Sequence, residues 1–389
     1  MLQLLLILLP IVFFMGWLFG KQRRKSADEK TEHPLIPYDY FVGLNYIINE
    51  QPDKAVDVFV KMLEVNTDTV ETHLALGNLF RRRGEVDRAI RIHQNLIARP
   101  HLDKKQRILA LLELAQDYLR AGVLDRAERL FLELVKMNEE IIPSYGYLIN
   151  IYQQQKDWQQ AIVNAKKLEE VGGGDMHVPI AHYYCELALQ ALAHNQTEQM
   201  HEYIKNSLKY DKNCARANII LGNALVTAGQ FKQAIRVFKQ VQEQDSEYVS
   251  EIISQLTKCY YDTGREKEFI RYLKTQIETN PRIYFILAMT DYLCAKDSEA
   301  AAIEYLTGKL YHCLSLRGLG RLLELYMHSA DKPAQNKLLL LKEFVEKLAE
   351  NRPVYRCIHC GFSGKQLYWQ CPSCRRWNSV KPIHGLEGD

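Results

Sequence analysis

One motif of about 34 residues is written again and again through the middle of this chain, and nothing else in it limits the fold so tightly. Small or apolar residues recur at Gly43, Gly77, Ala115, Ile149, Ala188, Gly222, Thr257 and Met289, in steps of 32 to 39 residues. Twelve positions after each stand Ala55, Ala89, Ala127, Ala161, Met200, Ala234, Phe269 and Ala301, and sixteen after stand Phe59, His93, Phe131, Ala165, Ile204, Phe238, Leu273 and Tyr305. One helical turn beyond the first column, Tyr46, Phe80, Tyr118, Tyr152, Leu225, Tyr260 and Tyr292 supply a bulky side chain, with Ala191 out of type. Small residues let two helices approach and the large neighbour fills the groove beside them, so the columns predict antiparallel helix pairs. Seven positions after the first column stand Gly84, Gly122, Gly229 and Gly264, with Asn195 in the fifth copy. These are the residue types that accept the left-handed backbone ending a helix, a choice from which Glu50, Lys156 and Lys296 depart.

The pattern resembles tetratricopeptide repeats, in eight copies over residues 38–308, the fifth, seventh and eighth degenerate. Two long steps place their extra residues between copies, at Arg99-Pro100-His101-Leu102-Asp103 and at Gly172-Gly173-Gly174-Asp175. The glycine run reads as a flexible joint; no Gly-x4-Gly-Lys-Ser/Thr accompanies it to make it a phosphate loop. Over 309–350 apolar residues keep helical spacing, at Leu319, Leu322, Leu323 and Tyr326, then Leu338, Leu341, Phe344, Val345 and Leu348. These are expected to cap the stack and shield its last face.

Past Pro353 the chain carries Cys357-x2-Cys360-x10-Cys371-x2-Cys374, four cysteines within 18 residues. Each Cys-x2-Cys knuckle converges two thiolates on one ion, and two facing knuckles form the closed four-sulfur shell of a structural Zn2+ or a rubredoxin-type iron centre. A closed shell holds structure and leaves no open coordination position for catalysis. The short loop between knuckles favours zinc over iron, and a disulfide pair is set aside because the rest of the chain points to a reducing compartment. The expected ribbon occupies 351–389, with His359 facing solvent inside the first knuckle. The remaining cysteines, Cys185, Cys214, Cys259, Cys294 and Cys313, stand singly in helical pattern and read as small buried hydrophobes.

Residues 1–20 are almost wholly apolar and long enough to cross a hydrocarbon core. Lys21, Arg23, Arg24 and Lys25 follow and no basic residue precedes, which predicts a single transmembrane helix, a basic juxtamembrane linker over 21–37, and the bulk of the chain on the cytoplasmic side. A cleaved signal peptide would carry the opposite charge order. The predicted fold class is therefore all-α: a repeat superhelix with an N-terminal transmembrane helix and a small C-terminal rubredoxin-like zinc ribbon.

No catalytic signature of nucleophile, base or dinucleotide site occurs, so the chain is read as a scaffold and not an enzyme. His182 and Cys185 share a helix face but lack a third ligand, and packing accounts for them. Arg81, Arg82 and Arg83 lead into a turn and read first as a solvated charged end; the functional reading gives Asn78 and Arg82, with Asn223 in the equivalent column, a partner segment to hold. Around the metal, Arg356, Lys365, Arg375, Arg376 and Lys381 alternate with Tyr368, Trp369 and Trp377. That mixture suits stacking on bases, and it keeps open a second reading, a membrane-tethered nucleic-acid or ribosome-associated module. A net charge of only +3 argues against nucleic acid, and aromatics beside metal knuckles more often build the ribbon's own core. A third class, an enzyme with redox-active iron, would declare itself by absorbance that bleaches on reduction.

The stretches Tyr355-Arg356-Cys357-Ile358-His359-Cys360-Gly361-Phe362, Leu367-Tyr368-Trp369-Gln370-Cys371-Pro372-Ser373-Cys374, Gly84-Glu85-Val86-Asp87-Arg88-Ala89 and Lys381-Pro382-Ile383-His384-Gly385-Leu386 are distinctive. With an anchor, repeats and a terminal ribbon, the whole chain resembles the lipopolysaccharide assembly protein B family of Gram-negative bacteria. The resemblance implies an inner-membrane adaptor that lowers lipopolysaccharide output by promoting degradation of the deacetylase committing precursor to lipid A, through a membrane-anchored AAA+ metalloprotease. It also implies contact with other lipopolysaccharide synthesis and assembly proteins, and one structural metal ion on Cys357, Cys360, Cys371 and Cys374.

Overall fold

The computed structural model describes residues 38–386, apart from 50, 52–53, 56–57, 60–69, 101 and 351. The expected transmembrane helix and basic linker lie outside the described residues, and among these no helix is long and apolar enough to cross a membrane. The chain forms two compact units, residues 1–130 and 131–389. The first holds helices α1 (Tyr38–Ile48), α2 (Val70–Arg82), α3 (Val86–Ile97) and α4 (Lys104–Arg120), and the division falls within α5 (Leu124–Lys136). The second continues with α6 (Ile141–Gln155), α7 (Trp158–Glu170), α8 (His177–Ala193), α9 (Thr197–Tyr210), α10 (Ala215–Thr227) and α11 (Phe231–Gln244). A 3-10 helix (Ser246–Glu251) then precedes α12 (Ile253–Asp262), α13 (Glu266–Thr279), α14 (Ile283–Lys296), α15 (Glu299–Leu310), α16 (Leu316–Ser329) and α17 (Lys332–Glu350). Three short strands, β1 (Tyr355–Cys357), β2 (Ser363–Gly364) and β3 (Val380–Pro382), close the chain in an antiparallel sheet of order β2-β1-β3.

The columns of small and large residues meet inside each hairpin. A Cβ added at Gly43 would strike the Phe59 ring, one at Gly77 the His93 ring and one at Gly222 the Phe238 ring. Glycine stands in the first helix because an aromatic ring sixteen residues later fills the space a side chain would take. Phe59, His93 and Phe238 are accordingly fully buried. Left-handed residues end the first helix of five hairpins as expected, at Gly84 (φ 82), Gly122 (φ 76), Asn195 (φ 58), Gly229 (φ 71) and Gly264 (φ 66). Lys156, a departure in type, adopts the same conformation (φ 58), whereas Lys296 stays helical and α14 ends at Asp297 with φ -105. At the glycine run expected as a flexible joint, Gly172 and Gly174 are exposed and left-handed, and the Gly173 amide donates to the Leu168 carbonyl at 2.8 Å.

Two departures from regular repeats matter for the site. His93 stands where three sister copies carry phenylalanine, and its Nδ1 lies 2.5 Å from Asp117 Oδ2, both side chains fully buried. Arg81 completes the group, 2.8 Å from Asp117 Oδ1 and 2.6 Å from Glu113. The arginine expected at a solvated helix end is thus a partly buried partner that neutralises two carboxylates. In the degenerate seventh copy, the start of the first helix is the 3-10 segment, where Asp245 caps by accepting from the Glu247 amide.

Gly222→Ala is expected to cost about 1–3 kcal/mol through overpacking against Phe238. Thermal unfolding checks it, and adding Phe238→Leu to the same chain should recover part of the loss.

Candidate metal centre

The ribbon is held by β1 pairing with both neighbours and by two backbone knuckles. In the first, the Gly361 amide donates to the Cys357 carbonyl at 3.0 Å, and in the second the Arg375 amide donates to the Cys371 carbonyl at 2.9 Å. The residue after the last cysteine of each knuckle is left-handed, Gly361 at φ 78 and Arg375 at φ 56. These turns bring the four Sγ atoms within 4.8 Å of one another. Cys357 and Cys374 are 3.7 Å apart and Cys360 and Cys371 3.6 Å. A tetrahedral shell with metal–sulfur bonds of about 2.3 Å has sulfur–sulfur edges of about 3.8 Å, and a disulfide would need about 2.05 Å. The thiols therefore fit one ion and do not fit two disulfides.

The electrostatics of the knuckles suit thiolates unequally. Burial pushes the Cys357 thiol up, yet the Ser379 hydroxyl and the amides of Cys360 and His359 outweigh it and hold it at about 6. The Phe362 amide lowers Cys360, while burial raises Cys371 to about 11. Loading an ion displaces the Cys371 proton, so metal binding here releases protons to solvent.

The ribbon does not stand apart from the helices of its unit. Trp377 stacks on His182 of α8 with ring centroids 5.0 Å apart and meets Tyr183 edge-on at 5.7 Å and Trp158 of α7 at 6.4 Å. Trp369 packs on Tyr248 of the 3-10 helix at 4.8 Å. The Arg216 guanidinium lies 5.6 Å over Trp369 and 6.0 Å over Trp377, its charge met by Glu186 at 2.7 Å. Around these rings runs a polar rim. Lys381 pairs with Asp245 at 2.5 Å, His384 with Glu247 at 2.5 Å, and the Tyr355 hydroxyl donates to Glu251 at 2.8 Å. The Tyr248 hydroxyl meets Asn378 Oδ1 at 2.9 Å and the Val380 carbonyl at 3.0 Å. Gln370 donates to Gln153 at 2.7 Å and Arg375 to Asn150 at 2.7 Å. The left-handed Arg375 thus costs about 1–2 kcal/mol of backbone strain and aims its guanidinium at α6.

This arrangement corrects the expectation that Trp369 and Trp377 build the ribbon's own core or wait for bases. The buried ribbon cluster is Cys357, Cys371 and Val380 with Tyr355, Phe362, Leu367 and Cys374 beside it; the tryptophans are spent on the repeats. Lys381 and Arg375 are engaged likewise, and Arg356, Lys365 and Arg376 face solvent. His182 and Cys185 are buried packing residues as expected, Cys185 lying 3.4 Å from Ser207 and 3.8 Å from Cys214. Cys259 is buried also, while Cys294 and Cys313 are half-buried. Asn78 and Arg82 line a groove of about 360 Å³ in the first unit with Tyr40, Leu74, Leu109 and Glu113, and the Asn78 amide oxygen already accepts from Arg81 at 2.8 Å. Asn223 is exposed on α10, in the second unit, so no shared site of the three is described. Sequence reasoning missed the acceptors Asp245, Glu247 and Glu251. Their one signal was the loss of repeat pattern before Thr257.

Family models match a rubredoxin metal-binding domain at 355–382 and tetratricopeptide repeats at 72–107 and 185–248. Lipopolysaccharide assembly protein B of Escherichia coli K12 is 39% identical over 389 residues, all of both chains. This chain belongs to the lipopolysaccharide assembly protein B family. The family member of Haemophilus influenzae is 34% identical, again over the whole of both chains. A solved MamA structure, 17% identical, aligns with 46% of this chain and 92% of its own at a TM-score of 0.35. As a member of the family, the chain carries a four-cysteine metal site in a rubredoxin-like domain beside its tetratricopeptide repeats.

Trp377→Ala should remove about 2–4 kcal/mol of packing and stacking from the seat. Hydrogen exchange would then rise in the ribbon and the 3-10 helix while bound metal stays at wild-type content. A pH test follows from His182, which burial first, and the Arg216 and Lys381 charges next, push well below the ordinary imidazole range. The folded pKa lies below the unfolded one, so the ring's contribution to stability is present above about pH 6.5 and is lost as pH falls toward the folded value. The stability difference between wild type and His182→Phe should therefore shrink or reverse from pH 7.5 to 5, measured by denaturant unfolding.

Proposed function

We propose that this chain is an inner-membrane adaptor that regulates lipopolysaccharide biosynthesis by handing the lipid A-committing deacetylase to a membrane-anchored AAA+ metalloprotease, and that it organises other lipopolysaccharide synthesis and assembly proteins at the cytoplasmic face. The observation that carries this reading is the end-to-end match to proteins named for lipopolysaccharide assembly, with anchor-like, repeat and ribbon segments all included. The anchor raises the effective concentration of adaptor near a protease in the same membrane, so each contact stays weak and reversible. The groove bearing Asn78 and Arg82 in the first unit is assigned to one partner segment, and Asn223 in the second unit to another contact. Arg82 has no ion-pair partner among the described residues and is available to a carboxylate.

Against the nucleic-acid reading stands the use of Trp369, Trp377 and Lys381 on the repeats, which leaves the ribbon without its stacking platform. The ion is assigned as one structural Zn2+ on Cys357, Cys360, Cys371 and Cys374, with iron the alternative. Purified chain should contain about one zinc per molecule and show no visible absorbance, whereas four-sulfur iron would be coloured and bleach on reduction. Cys371→Ser should lose the ion and loosen the ribbon while the helical circular dichroism stays, because the helix hairpins have their own cores.

In cells, removal of residues 1–20 should lengthen the deacetylase half-life several-fold. An unchanged half-life, measured by pulse–chase with the truncated chain at wild-type abundance, would exclude tethering as the basis of the adaptor's action.

A further inference from the structure

We infer that the outer face of α17 is a self-association surface that pairs two copies of this chain antiparallel about a two-fold axis near Phe344. Helices 309–350 were expected to close the stack, and a terminal repeat ordinarily turns a polar face outward. Here Val345 is the one buried residue of α17, at 9% exposure, and Leu340, Leu341, Phe344 and Leu348 are exposed by 51%, 50%, 51% and 55%. Leu340, Phe344 and Leu348 follow one another at four-residue intervals and Leu341 lies beside them, so the four form one continuous stripe.

The charges flanking that stripe decide its partner. Lys342, on the inner side, is paired with Glu324 at 3.0 Å and Glu346 at 3.5 Å. Glu343 and Lys347 share the outer flank next to Leu340 and Phe344, and neither has an ion-pair partner among the described residues. A two-fold axis at Phe344 sets Leu340 opposite the second copy's Leu348 and brings Glu343 to the second copy's Lys347, with the reciprocal pair generated by the same operation. The face is thus complementary to itself in both shape class and charge. An anionic lipid surface fits it poorly, because Glu343, Glu346 and Glu350 all lie on the exposed side of the helix.

The test is a charge-swap cycle on the full chain in detergent, read by sedimentation velocity. Glu343→Lys and Lys347→Glu should each weaken the dimer about tenfold, by setting like charges against each other twice, and the double variant should recover to within about threefold of wild type. Equal affinities across the cycle, or a monomeric wild type, would overturn the inference. In membranes, Phe344→Cys should cross-link to a dimer under mild oxidation, while Leu339→Cys, 44% exposed on another side of the same helix, should not. Equal cross-linking of both, or of neither, counts against it. If Glu343→Lys instead strengthens binding of the full chain in mixed micelles to vesicles of phosphatidylglycerol, with no self-association, the stripe is a lipid contact and the pairing is wrong.

Discussion

The stacking of Trp377 on His182, braced by Arg216 over both ribbon tryptophans, is the contact through which the metal site and the helices of the second unit become one body. A ribbon of this size buries too little apolar surface to be stable alone, so it draws order from two sources. One is the ion that the four thiols are placed to hold. The other is the seat on α7, α8 and the 3-10 helix, where flat rings are packed and a rim of Lys381–Asp245, His384–Glu247 and Tyr355–Glu251 fixes the register. Each source makes the other more effective: the knuckles hold Trp369 and Trp377 at the right separation, and the seat holds the strands that carry the knuckles.

That coupling explains why the seventh copy loses its repeat pattern. A regular first helix would run its small and large columns toward the neighbouring hairpin. The 3-10 segment at Ser246–Glu251 instead turns Asp245, Glu247 and Glu251 to the ribbon and offers Tyr248 as a floor for Trp369. Degeneracy in a repeat is here the mark of a second packing obligation. The same logic applies to His93, a polar ring in a core column, whose Nδ1 is paired with Asp117 while Arg81 balances that carboxylate.

For the adaptor role proposed above, this division of labour has a consequence. Side chains that in isolation look like a recognition surface, the basic and aromatic residues around the cysteines, are consumed in holding the molecule together. What remains for partner contacts in that role is the groove of α1, α2 and α4 with Arg82, the exposed knuckle tips at Ile358 and His359, and the apolar stripe of α17. Four thiols placed to close the shell of one ion leave no open coordination position there, which agrees with the adaptor role proposed above.

By itself the sequence determined the hairpins, their left-handed turns and the four ligands, because each rests on short-range spacing. Helix pairs are set by residues twelve and sixteen apart, and a knuckle by cysteines three apart, so the information is local and survives being read as a string. Lys156 shows the same rule from the other side, since the turn kept its backbone despite an unfavourable residue. Tertiary structure alone decided where the ribbon sits, that Arg81 is a partly buried counter-ion, and that α17 leaves its leucines uncovered. Those outcomes depend on pairs such as Tyr248 and Val380, 132 residues apart, whose meeting depends on how successive hairpins stack. No periodicity encodes a contact of that span, because the same tryptophan is equally consistent with a ribbon core, a base-stacking platform or a docked interface until its neighbour is known.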